Sequence, residues 1–311
     1  MSEFEFINRL KGLIKPNTQG TPNALNLSDD VCIIADIRKK QLIASQDSLC
    51  EDVHFFKDDP IEYIIKKAIR TNISDIASKG AKPYGMLLSL CLPKRYHNEA
   101  AQSKIFKALK EDLNYYDIAL LGGDTTTGKT LTISITILGL CHHAMPLRRN
   151  IALGDKIYVT GTLGLSKIGL DLRLNKPDAL NIQGDISLFE HTYLLPEPPL
   201  NCGIALAPYM NASMDISDGL LGDLQKMIDS SNKILGFDID NTKVPCADIA
   251  HRDYALQSAL YGGDDYQILF TSHHDTQFLM DIANQHQTRL SCIGIVNDKE
   301  NTDQYQSFSH F

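Results

Sequence analysis

The 311 residues include 43% hydrophobic and 22% charged side chains, which suits two domains with proper cores and argues against a disordered chain. Thirty basic against 38 acidic residues give a net charge of −8, so a general nucleic-acid binder or a protein lying on anionic membrane is excluded, since either needs a basic surface. No apolar run approaches the roughly 18 residues of a membrane span, and the acidic start MSEFEF points to neither secretion nor anchoring, which makes the cytoplasm the expected compartment.

In chain order, residues 12–30 are rich in Gly, Pro, Asn and Thr and read as an irregular lead-in. VCIIADI and KQLIASQD then predict two short strands in a hairpin. A helix is expected over about 60–79, stopped by Gly80 and Pro83, then a strand at YGMLLSLCLP and an amphipathic helix over 97–114. The run DIALL feeds GGDTTTGKT, which fits the phosphate-loop pattern G-x-x-x-x-G-K-[ST]. A phosphate loop must open into a helix. Here Leu131, Ile133, Ile135 and Ile137 alternate with Thr132, Ser134 and Thr136, the period of a half-buried strand, so the segment reads as strand, Gly-rich loop, strand, and Lys129 as a solvated turn residue.

Residues 141–155 read as a connection, with a boundary near 147 that divides the chain into 1–147 and 148–311. Beyond it come a strand and Gly-rich turn in KIYVTGTLG, helices near 164–175 and 218–230, strands near 235–240 and 266–272, a helix near 275–286 and a late strand in SCIGIV. This mixed order predicts an α+β fold of the α/β two-layer kind, in two domains. The seven cysteines, at 32, 50, 91, 141, 202, 246 and 292, form no C-x-x-C pair and read as buried small hydrophobes in a reducing compartment.

The carboxylates are where the chemistry shows. On the 60–79 helix, Ile65, Ala68, Ile69 and Ile76 make an apolar stripe, and at about 100° per residue from Ile61 Asn72 falls near +20° and Asp75 near −40°, inside the face that should be buried. An unpaired buried carboxylate is costly, so Asp75 must meet a cation, a donor network or a cleft. Asp29 and Asp30 precede a strand, Asp47 and Asp124 read as strand ends, and Asp215 and Asp218 flank Ser217 at a strand-to-helix turn, where helix capping is the competing explanation. Oxygen-only ligands without His or Cys suit a hard cation such as Mg²⁺. None of the histidines has zinc-ligand spacing; His54 stands out only by following the acidic strand end.

Nine stretches occur in one order: SEFEFI, SDDVCIIAD, ASQDSLCEDVHFF, NISDIASKGAKP, GGDTTTG, RRNIALGDKIYVTGTLG, DISDGLLGDL, GGDDYQILFT and FSHF. Together they resemble the motif series of the thiamine-monophosphate kinases, relatives of aminoimidazole ribonucleotide synthetase and selenophosphate synthetase. The resemblance implies two domains of the aminoimidazole ribonucleotide synthetase-like type, each a mixed sheet with helices on one face. The N-terminal domain would bind ATP and Mg²⁺ and form a homodimer, and the C-terminal domain would complete the active site. It implies transfer of the γ-phosphoryl group of ATP to thiamine monophosphate, with several Mg²⁺ ions. Carried over, Asp30, Ser45, Asp47, Asp75, Asp124 and Asp215 would be metal ligands with Asp218 near a further ion. Gly123, Asp124, Arg148 and Ser217 would contact ATP, and His54, Asp264 and Phe308 would face the thiamine substrate. No residue is implied as covalent nucleophile or general base.

Three positions depart from the family pattern: Gln46 stands between Ser45 and Asp47 where the family has Thr-Thr-Asp, Asp264 replaces a Glu, and Phe308 replaces a Trp or Tyr. Two rival readings are a different ATP-dependent synthetase of the same superfamily and a non-catalytic nucleotide-binding relative. The lead-in over 12–28 has no Cys, which counts against the selenium branch, and intact Asp30, Asp47, Asp75, Asp124 and Asp215 count against a degenerate binder.

Overall fold

The computed structural model describes residues 9–13, 41–180, 182, 184–231 and 233–299. The chain divides into two compact units, one of residues up to 76 with 81–142, the other of 77–80 with 143 onward.

Among the described residues the first unit holds four strands of one sheet in the order β1-β4-β2-β3, with β1 at Gln41–Cys50, β2 at Lys82–Pro93, β3 at Ala119–Gly128 and β4 at Thr132–Cys141; the strand expected at VCIIADI lies outside them. β4 runs antiparallel to both neighbours, and β2 and β3 are parallel. The sheet is therefore mixed. GGDTTTG, expected as a loop between two strands, is instead the second half of β3, held along its length by pairing with β2, and β3 does not pair with β4 because β2 lies between them. The alternation in β4 behaves as its sequence requires, with Ile133, Ile135 and Ile137 buried.

Helix α1 (Ile61–Ser78) and helix α2 (Glu99–Tyr115) belong to the same half of the chain. α1 is buried far beyond a single stripe: Lys67, Arg70, Thr71, Asn72 and Ser74 are inside along with the isoleucines. The reason is local pairing. Arg70 sends Nε and Nη2 to the two carboxylate oxygens of buried Asp112 on α2, at 2.8 and 3.3 Å, a forked geometry that satisfies both charges away from water.

The second unit is built on a five-stranded antiparallel sheet in the order β6-β8-β5-β9-β7. Its strands are β5 (Lys156–Thr160), β6 (Ala212–Asp215), β7 (Gly236–Ile239), β8 (Ile268–Ser272) and β9 (Leu290–Asn297). Among the described residues the helices of this unit are α3 (Leu165–Arg173), α4 (Pro177–Leu180), α5 (Ile186–Leu194), α6 (Leu200–Leu206), α7 (Leu220–Asp229), α8 (Arg252–Tyr261) and α9 (Thr276–Gln285). Val159, Met214 and Leu269 pack with Leu224 and Met227 of α7 and Ala259 of α8, whereas Tyr158 and Phe270 pack with Leu206 of α6 and Leu279 of α9. Successive strand residues thus feed two separate apolar layers, as a period-two strand covered on both faces must.

α4, α5, α6 and α8 were not expected from the sequence, and the cysteines differ from expectation: among the described residues only Cys141 and Cys202 are buried, and Cys50, Cys91, Cys246 and Cys292 are half-buried. Cys32 lies outside the described residues. No described helix is long and apolar enough to cross a membrane.

Candidate active site

In the first unit, the alternation of β1 sorts its polar residues. Ser45 and Asp47 lie opposite Ile137 and Ile135, while Gln46 lies opposite Thr136, on the other face of the sheet. The Ser45 hydroxyl donates to Asp75 Oδ2 of α1, and the Asp47 N–H donates to Asn72 Oδ1 one helical turn away, at 3.2 Å. The two polar residues that broke the apolar stripe of α1 therefore both meet β1. Gln46 instead accepts from the Thr136 hydroxyl at 3.2 Å, so its side chain belongs to the opposite face from Ser45 and Asp47.

Asp47 and Asp124 lie within strands and not at strand ends, because β1 continues to Cys50 and β3 runs through the glycines to Gly128. Asp124 pairs with Ser89 of β2, and its Oδ1 accepts the Thr125 N–H at 2.9 Å. Among the described strands β1 and β3 are the outermost two of the order β1-β4-β2-β3, so three interstrand spacings, roughly 14 Å, separate Asp47 from Asp124. Gly123 has a positive φ of 151°, and a Cβ there would fall 1.8 Å from the Leu88 carbonyl oxygen, so the strand can approach β2 only without a side chain.

A tight turn after β1 carries His54. Its Nδ1 accepts the Cys50 N–H at 3.0 Å, which leaves the proton of the neutral ring on Nε2. The turn is anchored by buried Glu51, whose Oε2 takes the Arg95 guanidinium and the Leu131 N–H, the latter at 2.7 Å. Burial alone would raise the Glu51 carboxyl, but the Leu131 N–H and Arg95 outweigh it and hold the group below the ordinary carboxylate range. Asp52 in this turn has φ 65°, a left-handed conformation that a non-glycine residue adopts at a cost.

In the second unit, β6 ends at buried Asp215 and the chain turns through Ser217, Asp218 and Gly219 into α7. Residues 263–266 run alongside: Asp264 N–H donates to the Ser217 carbonyl at 2.9 Å and Tyr266 N–H to the Ile216 carbonyl at 2.8 Å. Asp264 and Tyr266 both have positive φ, 63° and 50°, and the Tyr266 hydroxyl donates to Asp264 Oδ1 at 2.8 Å. Asp265 points inward, fully buried, and accepts the Gly164 N–H on both oxygens at 2.9 and 3.0 Å. Burial pushes its carboxyl well above the usual range, opposed by the Gly164 N–H and reinforced by nearby Asp264.

Lys226 on α7 donates to Asp218 Oδ2 at 2.6 Å and to Asp223 Oδ1 at 2.9 Å. Burial works against its ammonium, but the two carboxylates prevail and raise its pKa above the usual lysine value. Arg148 is exposed on a single 3₁₀ turn, residues 148–150, that packs against β6 and α7. Asp30 and Phe308 lie outside the described residues.

The structure thus joins Ser45, Asp47 and Asp75 in one unit and Asp215, Ser217, Asp218 and Asp264 in the other. Among the described residues no three His, Cys, Asp or Glu side chains gather closely enough to make a metal cluster. The donor chemistry of Ser45, Asp47 and Asp75 is nevertheless all oxygen, which fits a hard divalent cation and not zinc. Sequence reasoning missed Glu51, Arg95, Asp223 and Lys226. For Asp223 a signal was present: stepping about 100° per residue along α7 places it beside Leu220 and Met227 on the apolar face, the same test that singled out Asp75.

Residues 28–141 match the family described as AIR synthase related protein, N-terminal domain. Over 96% of this chain and 92% of the other, it is 33% identical to the thiamine-monophosphate kinase of Buchnera aphidicola from Schizaphis graminum. The chain belongs to the thiamine-monophosphate kinase family. Two solved members of this kinase family superpose on nearly all of it. The thiamine-monophosphate kinase of Stenotrophomonas maltophilia K279a does so at TM-score 0.83 and 30% identity, over 97% of this chain and 96% of its own. AaThiL complexed with AMPPCP and TMP gives 0.75 at 27% identity, over 99% and 97%. The expected aminoimidazole ribonucleotide synthetase-like fold, with its two sheets and their helices, is the one observed. The expectation that each sheet is mixed with helices on one face fails in the second unit, where every described strand pair is antiparallel and apolar layers cover both faces.

Proposed function

We propose that this thiamine-monophosphate kinase family member transfers the γ-phosphoryl group of ATP to the phosphate of thiamine monophosphate, in line and directly, giving thiamine diphosphate and ADP. The observation that carries the reading is the match, over 99% of the chain, to AaThiL complexed with AMPPCP and TMP. The acceptor is a phosphate monoester whose second pKa near 6 leaves it largely ionised at neutral pH, so no strong base is needed to activate it. The difficulty is bringing two anions together, and positioning and charge neutralisation are the fitting remedies.

In this reading Ser45, Asp47 and Asp75, with Asp30, Asp124, Asp215 and Asp218, hold Mg²⁺. Mg²⁺ when bound supplies neutralisation of the phosphate charge. Gly123, Asp124, Arg148 and Ser217 hold the nucleotide; His54 orients thiamine monophosphate together with Asp264 and Phe308. Residues 1–147 form the nucleotide-binding and dimerisation part, 148–311 complete the site, and the working form is a homodimer in the cytoplasm.

The test is ADP release by purified protein with ATP and Mg²⁺, comparing thiamine monophosphate with thiamine and with aminoimidazole-pathway acceptors. Thiamine diphosphate formed from the monophosphate alone is the expected result. Turnover with a different acceptor, or none while ATP still binds, would overturn the reading.

A further inference from the structure

The turn between β6 and α7 is held from inside the helix. Asp223, with no exposed surface, lies in the first turn of α7, and its Oδ2 accepts the N–H groups of both Ser217 and Asp218, each at 3.0 Å. Its other oxygen accepts from Lys226, and the same ammonium reaches Asp218 Oδ2. One carboxylate therefore fixes the main chain of two successive residues and, through a shared lysine, the side chain of the second. The turn has little freedom to settle otherwise: Gly219 has φ 107°, and a Cβ there would stand 3.0 Å from the Tyr261 carbonyl group. A carboxylate reaching back from the first helical turn to N–H groups ahead of it commonly caps a helix. What exceeds capping is that both N–H groups belong to residues assigned to nucleotide and metal, and that the lysine bridge fixes one of their side chains.

We infer that Asp223, acting with Lys226, is a positioning residue for the nucleotide, fixing Ser217 and Asp218 in the orientation in which they meet it. The inference rests on the reading of this turn as nucleotide-binding. An aspartate is required for its two-sided reach: one oxygen serves the main chain and the other the ammonium, whereas asparagine keeps an acceptor for the N–H groups and loses only the ionic half.

The experiment uses the full chain with Asp223→Ala, Asp223→Asn and Lys226→Met, and Ser217→Ala as a control. Michaelis constants for ATP and thiamine monophosphate, AMPPCP binding by calorimetry and the thermal midpoint are measured for each. Asp223→Ala is expected to raise the constant for ATP and weaken AMPPCP about tenfold, with the constant for thiamine monophosphate unchanged; Asp223→Asn should recover most of that loss. Lys226→Met, at a half-exposed position, should weaken AMPPCP about threefold, and carries the test if Asp223→Ala does not fold. A lowered thermal midpoint with AMPPCP affinity intact in these variants would make Asp223 a helix cap alone and overturn the inference. If Ser217→Ala also leaves ATP and AMPPCP unaffected, the nucleotide reading of the turn fails first, and the inference falls with it; if Ser217→Ala weakens both while the Asp223 and Lys226 variants do not, only the inference fails.

Discussion

Glu51 and Asp265 are built alike, yet their carboxyl pKa values are pushed in opposite directions. Each is a buried carboxylate that accepts a main-chain N–H from a distant segment, Leu131 in one case and Gly164 in the other. Each stands beside a residue assigned to thiamine monophosphate: His54 follows Glu51 by three positions, and Asp264 precedes Asp265 directly. The difference is Arg95. With a guanidinium the Glu51 carboxyl stays below the ordinary range, and among the described contacts of Asp265, which include no cation, burial drives it well above. A hydrogen bond from an uncharged N–H does not by itself outweigh full desolvation; a charge does.

The largest expected effect tests what these two anchored turns serve. Asp47→Asn should cut turnover by about a thousandfold with the thermal midpoint little changed, since a neutral amide cannot share in charge neutralisation; a loss of less than tenfold would remove the first unit from catalysis. His54→Ala and Asp264→Ala should each raise the Michaelis constant for thiamine monophosphate by about tenfold and leave that for ATP alone. If only one of them does, the parallel between the turns is broken.

Next come the anchors themselves. Glu51→Gln should cost about 1–3 kcal/mol of unfolding free energy at neutral pH. A carboxyl with a lowered folded pKa stabilises above its unfolded pKa and loses that contribution as pH falls through the folded one, so Glu51→Gln should also flatten the acid limb of a stability–pH curve. Asp265 has the reverse sign. Its raised folded pKa gives stability that is complete below the unfolded value and is lost as pH rises through the folded one, so Asp265→Asn should match the parent near pH 4 and surpass it at pH 8. Chemical denaturation at both pH values decides this, and parallel curves would mean that Asp265 is ionised in the fold. The smallest effect is Asp52→Gly, expected to stabilise by about 0.5–1 kcal/mol because glycine takes φ 65° without penalty.

Much of this was legible in the sequence where a period could be read. The 60–79 helix, the alternating β4 and the anomaly of Asn72 and Asp75 all follow from spacing, and the structure gives both polar residues their partners on β1. What spacing could not supply is order across the sheet. Nothing local says that β2 separates β3 from β4, or that two strands stand between Asp47 and Asp124, because those facts depend on which distant strands pair. The missed helix α8 shows the other limit: of its buried Ala255, Ser258, Ala259 and Leu260 only the last is a large apolar side chain, so no apolar stripe announces it. Glu51 and Asp265 each sit next to a residue that drew attention, but their partners lie 44 positions or more away, at Arg95 and Gly164.

The alternation along β1 has a consequence for how this segment can change. Substitutions alter one residue at a time, but loss or gain of a single codon within it would shift the pairing with β4 by one and exchange the two faces. Gln46 and Ser48 would then turn toward α1 and Asp47 away from it, with composition almost unaltered and the ladder still formed. Between Gln41 and Cys50 the gene can drift in spelling far more freely than in length.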